Sequence, residues 1–145
     1  MSTKHPVTST ATSTVTVIAG VVLAAVVAAL VNLGVAALAR SVVTVTDFGP
    51  LTPATYLSFT VLGVIAGAVG WAVVRHRARR PAELLRWLVP TAVAVSFVPD
   101  VVLLFASPAG VVPVVALMVM HLVVAAVAVP VYGRVLPVES RLSMR

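Results

Sequence analysis

Apolar residues along this chain come in long uninterrupted runs. Val15 to Ala39 (VTVIAGVVLAAVVAALVNLGVAALA) carries no charged residue, and Ala54 to Val74 is a second such run. Trp87 to Ala106 is the third and contains Asp100; Val111 to Val131 is the fourth and contains His121. Crossing a bilayer takes about 20 apolar residues at about 1.5 Å of rise each. In lipid a helix satisfies its own backbone polar groups, so runs of this length read as helices. The fold class predicted is all-α: a transmembrane four-helix bundle with spans at about 15–39, 54–74, 87–106 and 111–131. Ser107-Pro108-Ala109-Gly110 reads as a turn between the last two. Residues 1–13 (MSTKHPVTSTATS) have little to bury and are expected to form a mobile tail, with a second tail over 132–145.

Composition agrees with the runs. Of 145 residues, 61% are hydrophobic and only 10% charged. Soluble domains hold about 45–50% apolar and about 25% charged residues, so lipid must be the solvent for most of this chain. The absence of cysteine rules out disulfides and thiolate metal sites. The net charge of +6 would fit nucleic acid, but its distribution points to topology instead. Lys4, Arg75, Arg77, Arg79, Arg80, Arg86, Arg134, Arg141 and Arg145 fall on one side of a four-span arrangement, and Arg40 alone on the other. The positive-inside rule then puts both termini in the cytoplasm of a multi-pass cell-membrane protein. Ala37-Leu38-Ala39 resembles a signal cleavage site, but the run before it far exceeds the roughly 7–15 residues of a signal peptide core, so a retained span is expected.

Lipid does not press helices together, so small residues must let them approach. In the second span Gly63 and Gly67 form a small-xxx-small pair, with Gly70 on the same side. Continued outward, that face passes through Thr60 and Tyr56. In the first span Ala25, Ala28, Asn32, Ala36 and Ala39 line one stripe. Polar residues thus extend the small-residue faces, which are expected to look into the bundle. In the third span Ser96, Asp100, Leu103 and Ser107 share a side. Pro99 cannot donate to the Val95 carbonyl, which predicts a kink there. Pro90 lies near the start of this span, Pro113 in the first turn of the fourth, and Pro130 at its end.

Depths can be compared along untilted helices. Asn32, Thr60 and Asp100 each lie roughly 9–10 Å below the outer end of their spans, and His121 roughly 15 Å down. An aspartate at a helix centre costs about 2.5–3.5 kcal/mol to insert, so Asp100 is the most informative residue in the sequence. Two readings fit. One is an outer-half polar site for a small ligand or protons, formed by Asp100 with Asn32, Thr60, Ser96 and His121. The other is an interhelical hydrogen-bond cluster that fixes packing, with His121 a packing histidine.

Other chemistry has less to stand on. RHRARRPAELLR is explained by topology and by attraction of Arg75, Arg77, Arg79, Arg80 and Arg86 to anionic headgroups; without an aromatic platform it does not read as nucleic-acid binding. The outer segment RSVVTVTDFGPLTP alternates enough to hold a short extended piece, with Asp47 solvated. His5, His76 and His121 fall on separate segments, so no metal set is expected. No phosphate loop, dinucleotide fingerprint or serine elbow is present, and no cofactor is implied.

The second half of the chain resembles a bacterial family of small four-helix membrane proteins known only as a domain of unknown function. The resemblance rests on Leu62-Gly63 through Gly70-Trp71-Ala72, Arg80-Pro81, Ser96 to Asp100 (SFVPD), Leu117 to Leu122 (LMVMHL) and Ala126 to Pro130 (AVAVP). It covers roughly residues 54–131 and implies four spans, with no activity attached. The expectation is therefore a non-enzymatic membrane protein that binds or passes a small ligand or protons around Asp100. The alternative is an accessory protein that associates with itself or another membrane protein through its glycine faces.

Overall fold

The computed structural model describes residues 13–43, 48–106 and 110–138. The expected N-terminal tail up to residue 12, residues 107–109 of the turn, Asp47 and the last seven residues lie outside them. Four helical spans are long and apolar enough to cross a membrane: Thr14–Val42, Pro53–Arg77, Pro81–Ala106 and Val111–Val135.

Helix α1 (Thr14–Val42) is capped by Ser13, whose Oγ accepts the Thr16 N–H at 3.2 Å and satisfies one of the orphan donors of the first turn. Helices α2 (Pro53–Arg77) and α3 (Pro81–Ser96) both begin on proline, whose missing N–H would have no partner there and whose fixed φ suits the first turn. Helix α4 (Val98–Ala106) completes the third span, and α5 (Val111–Val135) is the fourth. Gly110, at φ 83°, precedes α5 in a conformation that favours glycine.

The third span starts at Pro81, ahead of the apolar run that opens at Trp87, and is broken at Phe97. Pro99 has no N–H for the Val95 carbonyl and its ring crowds that turn. The chain responds by tightening: Phe97 N–H bonds Ala94 O at 3.3 Å, and regular bonding resumes with Val101 N–H to Phe97 O at 2.9 Å. Pro130, expected at the end of α5, lies inside it, and residues 132–135 are helix where a tail was expected. The last turn is held because Tyr132 and Leu136 are buried against the bundle. In the segment between the first two spans, Arg40 to Val42 are still α1 and Gly49–Leu51 form a 3-10 turn; residues 44–47, the middle of the segment expected to hold a short extended piece, lie outside the described residues. The Arg40 guanidinium donates to the Leu51 carbonyl and ties this turn to the end of α1.

The spans pack in a definite order. Helix α5 is the most interior and the 81–106 span the least. Helices α1, α2 and α5 pack together, and α3 and α4 lie beside α5, with α3 also against α2. The α1 stripe is buried at Ala24, Ala28, Asn32, Ala36 and Ala39, with Ala25 at its edge. Helix α2 buries Tyr56, Thr60, Val64 and Val74. Two apolar clusters result. One joins Ala36, Ala39, Phe48, Leu51, Tyr56 and Leu117; the other joins Ala24, Ala28, Val64, Ala128 and Tyr132. Large residues such as Leu23, Leu30, Phe59, Leu62 and Phe105 are exposed on the outside, as expected where the solvent is hydrocarbon.

Candidate functional site

Among the described residues, two pairs of polar side chains join different spans. The first joins α1 to α2 at the seam between the two apolar clusters. Asn32 Nδ2 donates to Thr60 Oγ1 at 2.8 Å, and the Thr60 hydroxyl donates in turn to the Tyr56 carbonyl at 2.7 Å. Both side chains are buried, Asn32 completely. A small-residue stripe brings the helices close enough for this contact, since Ala28 and Ala36 lie one turn either side of Asn32. The Asn32 Oδ1 atom is buried without a hydrogen-bond partner among the described residues.

The second pair joins α4 to α5. Asp100 Oδ2 lies 3.2 Å from His121 Nδ1. The same Nδ1 lies 2.9 Å from the Leu117 carbonyl. A carbonyl oxygen only accepts, so this network assigns the proton to Nδ1 and directs it at Leu117. Asp100 Oδ2 then has the distance of an ion pair but not the direction of a hydrogen bond, and it is buried without a hydrogen-bond partner among the described residues. Phe97 completes the setting: its ring meets the imidazole edge-on, with centroids 6.1 Å apart. The break at Phe97 therefore places both an aromatic ring and a carboxylate against one side of α5.

The two members differ in access. The Asp100 side chain is 5% exposed and that of His121 37%. Among the described residues no third histidine or carboxylate joins them, so the donor set is a pair and not a metal cluster.

Ser96, expected beside Asp100, instead donates to the Val93 carbonyl in its own helix at 2.7 Å, next to the break. No hydrogen bond or ion pair between described residues links Asn32–Thr60 to Asp100–His121. The single layer suggested by depth alone is thus two polar contacts on different helix pairs.

The glycines also separate. A Cβ on Gly67 would stand 3.0 Å from Tyr132 Oη and 3.2 Å from its Cε2, so Tyr132 packs closely over this glycine inside the bundle. One on Gly63 would make ordinary contact with Val124 at 3.7 Å, and one on Gly70 would meet nothing within 4 Å. The tightest site is Gly20, where a Cβ would lie 2.7 Å from Val135 Cγ1. The sequence reading does not single out Gly20, although Ala24 and Ala28 follow it at four-residue spacing and extend the same face. It also passed over Tyr132, whose hydroxyl donates to the Val64 carbonyl and whose ring lies 5.9 Å from that of Trp71. Its signal is a phenol one residue past the fourth apolar run, whose O–H needs a partner once the helix continues through it.

The start of α1 meets the end of α5 through Gly20 and Val135, and Trp71 Nε1 donates to Leu136 O at 3.1 Å. Arg75, Arg77, Arg79, Arg80, Arg86 and Arg134 therefore sit at one end of the bundle and Arg40 at the other. Glu83 pairs with Arg80 at 3.4 Å on the exposed surface.

No curated protein and no solved structure matches this chain. A family model does, over residues 8–138, reaching from before α1 to beyond the end of α5 and so including the first span, which lies outside the roughly 54–131 on which the resemblance rests. Four apolar helices and this match together make the chain a multi-pass membrane protein belonging to the family of unknown function DUF6069.

Proposed function

We propose that this protein is non-enzymatic and acts through a proton-exchanging site at Asp100 and His121, by which it binds or passes protons or a small ligand that carries one. The observation behind this reading is the buried Asp100 Oδ2, without a hydrogen bond among the described residues and 3.2 Å from the ring of a half-exposed histidine. A packing carboxylate would be expected to have its oxygens satisfied. An ionisable group kept inside a membrane span is by default a functional candidate.

The pair offers a simple relay. A proton arriving at Nε2 of the neutral imidazole makes the ring cationic. A small turn of the ring then redirects the Nδ1–H from the Leu117 carbonyl to Asp100 Oδ2, and the proton passes to the carboxylate, leaving a neutral ring with its proton on Nε2. Asn32 and Thr60 act beside this as an interhelical lock, and Ser96 as a partner for the backbone of the broken turn.

Orientation follows from charge: the arginine-rich end lies in the cytoplasm, which places Asp100 in the outer half of the membrane. Association through the face of Gly63, Gly67 and Gly70 has less support, because Gly67 is already covered by Tyr132.

Infrared difference spectra recorded across a pH titration test the proposal. A carboxyl band that disappears in Asp100→Asn and whose midpoint moves in His121→Asn is the expected result. A midpoint indifferent to His121→Asn would remove the relay. In proteoliposomes holding a trapped pH dye, proton flux above that of empty vesicles and lost in Asp100→Asn would establish passage; flux equal in both proteins would refute it.

A further inference from the structure

At the arginine-rich end, α2, α3 and α5 together border an open groove of about 530 Å³. Its walls are apolar: Trp71 of α2, Leu85 and Val89 of α3, and Val129 of α5. Gly133 forms part of its lining, and a side chain there would meet nothing within 4 Å. The groove carries one charged residue, Arg86. Trp71 is fixed by its bond to the Leu136 carbonyl and by the Tyr132 ring, so this wall is rigid.

The chemistry that suits an apolar furrow with a cation at the headgroup end of a membrane helix is that of an amphiphile with an anionic head. Among the described residues Arg86 makes no ion pair, since Glu83 is taken by Arg80 and Asp100 pairs at His121. Arg79 and Arg80 are close by in the chain and add positive potential. We infer that this groove seats an anionic phospholipid, with part of an acyl chain along Trp71, Val89 and Val129 and the phosphate at Arg86. The lipid lies along the open side of the α3 junction with α2 and α5 and thereby steadies the start of the kinked span.

Brominated lipids provide the test. The full chain is prepared in mild detergent as Trp87→Phe, leaving Trp71 as the sole tryptophan. Quenching of Trp71 by brominated phosphatidylglycerol should reach half-saturation at about fivefold lower mole fraction than with brominated phosphatidylcholine, the factor expected of one arginine near a phosphate. Arg86→Gln should remove that preference. Gly133→Leu should fill the groove and weaken quenching by both lipids, whereas Gly34→Leu, at an open glycine on α1, should change neither. Equal quenching by the two lipids in the parent, a preference that survives Arg86→Gln, or quenching unaffected by Gly133→Leu would each overturn the inference.

Discussion

Replacing Gly67 with alanine is the sharpest test of how this bundle is packed. The new Cβ would lie 3.0 Å from Tyr132 Oη, whereas ordinary contact begins at 3.4 Å. Tyr132 would have to retreat by a few tenths of an ångström, and it is poorly placed to do so. Its hydroxyl is bonded to the Val64 carbonyl, and its ring lies against Trp71. Overpacking of this kind costs about 1–3 kcal/mol. Losing the tyrosine hydrogen bond would account for about 0.6 kcal/mol of that, the average for such bonds in one measured bundle. Alanine also gains about 0.8–1.0 kcal/mol over glycine in helix propensity, which can mask the clash. Gly70→Ala provides the control: the propensity change is the same, and nothing lies within 4 Å of its Cβ. Gly67→Ala should therefore fall about 1–3 kcal/mol below Gly70→Ala. Sodium dodecyl sulfate unfolding followed by Trp71 fluorescence, in a Trp87→Phe background, measures the difference. In Tyr132→Phe the nearest ring contact becomes the 3.2 Å one, so the Gly67→Ala penalty should shrink. Equal stability of the two alanine variants, or a penalty that Tyr132→Phe leaves untouched, would refute the packing argument.

Gly20→Ala should destabilise by about 1–3 kcal/mol, because the Cβ meets a stiff β-branched side chain at 2.7 Å, and Val135→Ala in the same protein should restore most of the loss in the same unfolding assay. Thr60→Val keeps the shape but strands the buried Asn32 amide; a loss of about 0.6–1.7 kcal/mol is expected, and no loss would mean the α1–α2 bond contributes nothing. Pro99→Ala restores the donor to Val95 and should straighten the third span, raising resistance to unfolding while uncoupling Asp100 from His121. In the infrared titration the Asp100 band should then become insensitive to His121→Asn, and retained sensitivity would show that the kink does not set the pair.

The sequence by itself determined the solvent of this protein and therefore its architecture. Uncharged runs of about 20 residues leave a backbone in lipid only one way to satisfy itself, and four such runs yield four helices. The α1 stripe was legible for a related reason: with no hydrophobic drive between helices, small residues mark where they approach, and Ala28, Asn32, Ala36 and Ala39 are all buried. Depth counting brought Asn32 and Thr60 to one level because rise per residue is constant, and they are in fact 2.8 Å apart. What only the tertiary structure decided was azimuth and neighbourhood. Counting gives depth but not the direction a residue faces across the bundle. That is why Asp100 at His121 and Asn32 at Thr60 are separate contacts, why Ser96 turns to its own backbone, and why three glycines that look equivalent along one face have different roles. Gly67 is fixed by Tyr132, a residue on another helix, and the distance between them exists only once both spans have folded against each other.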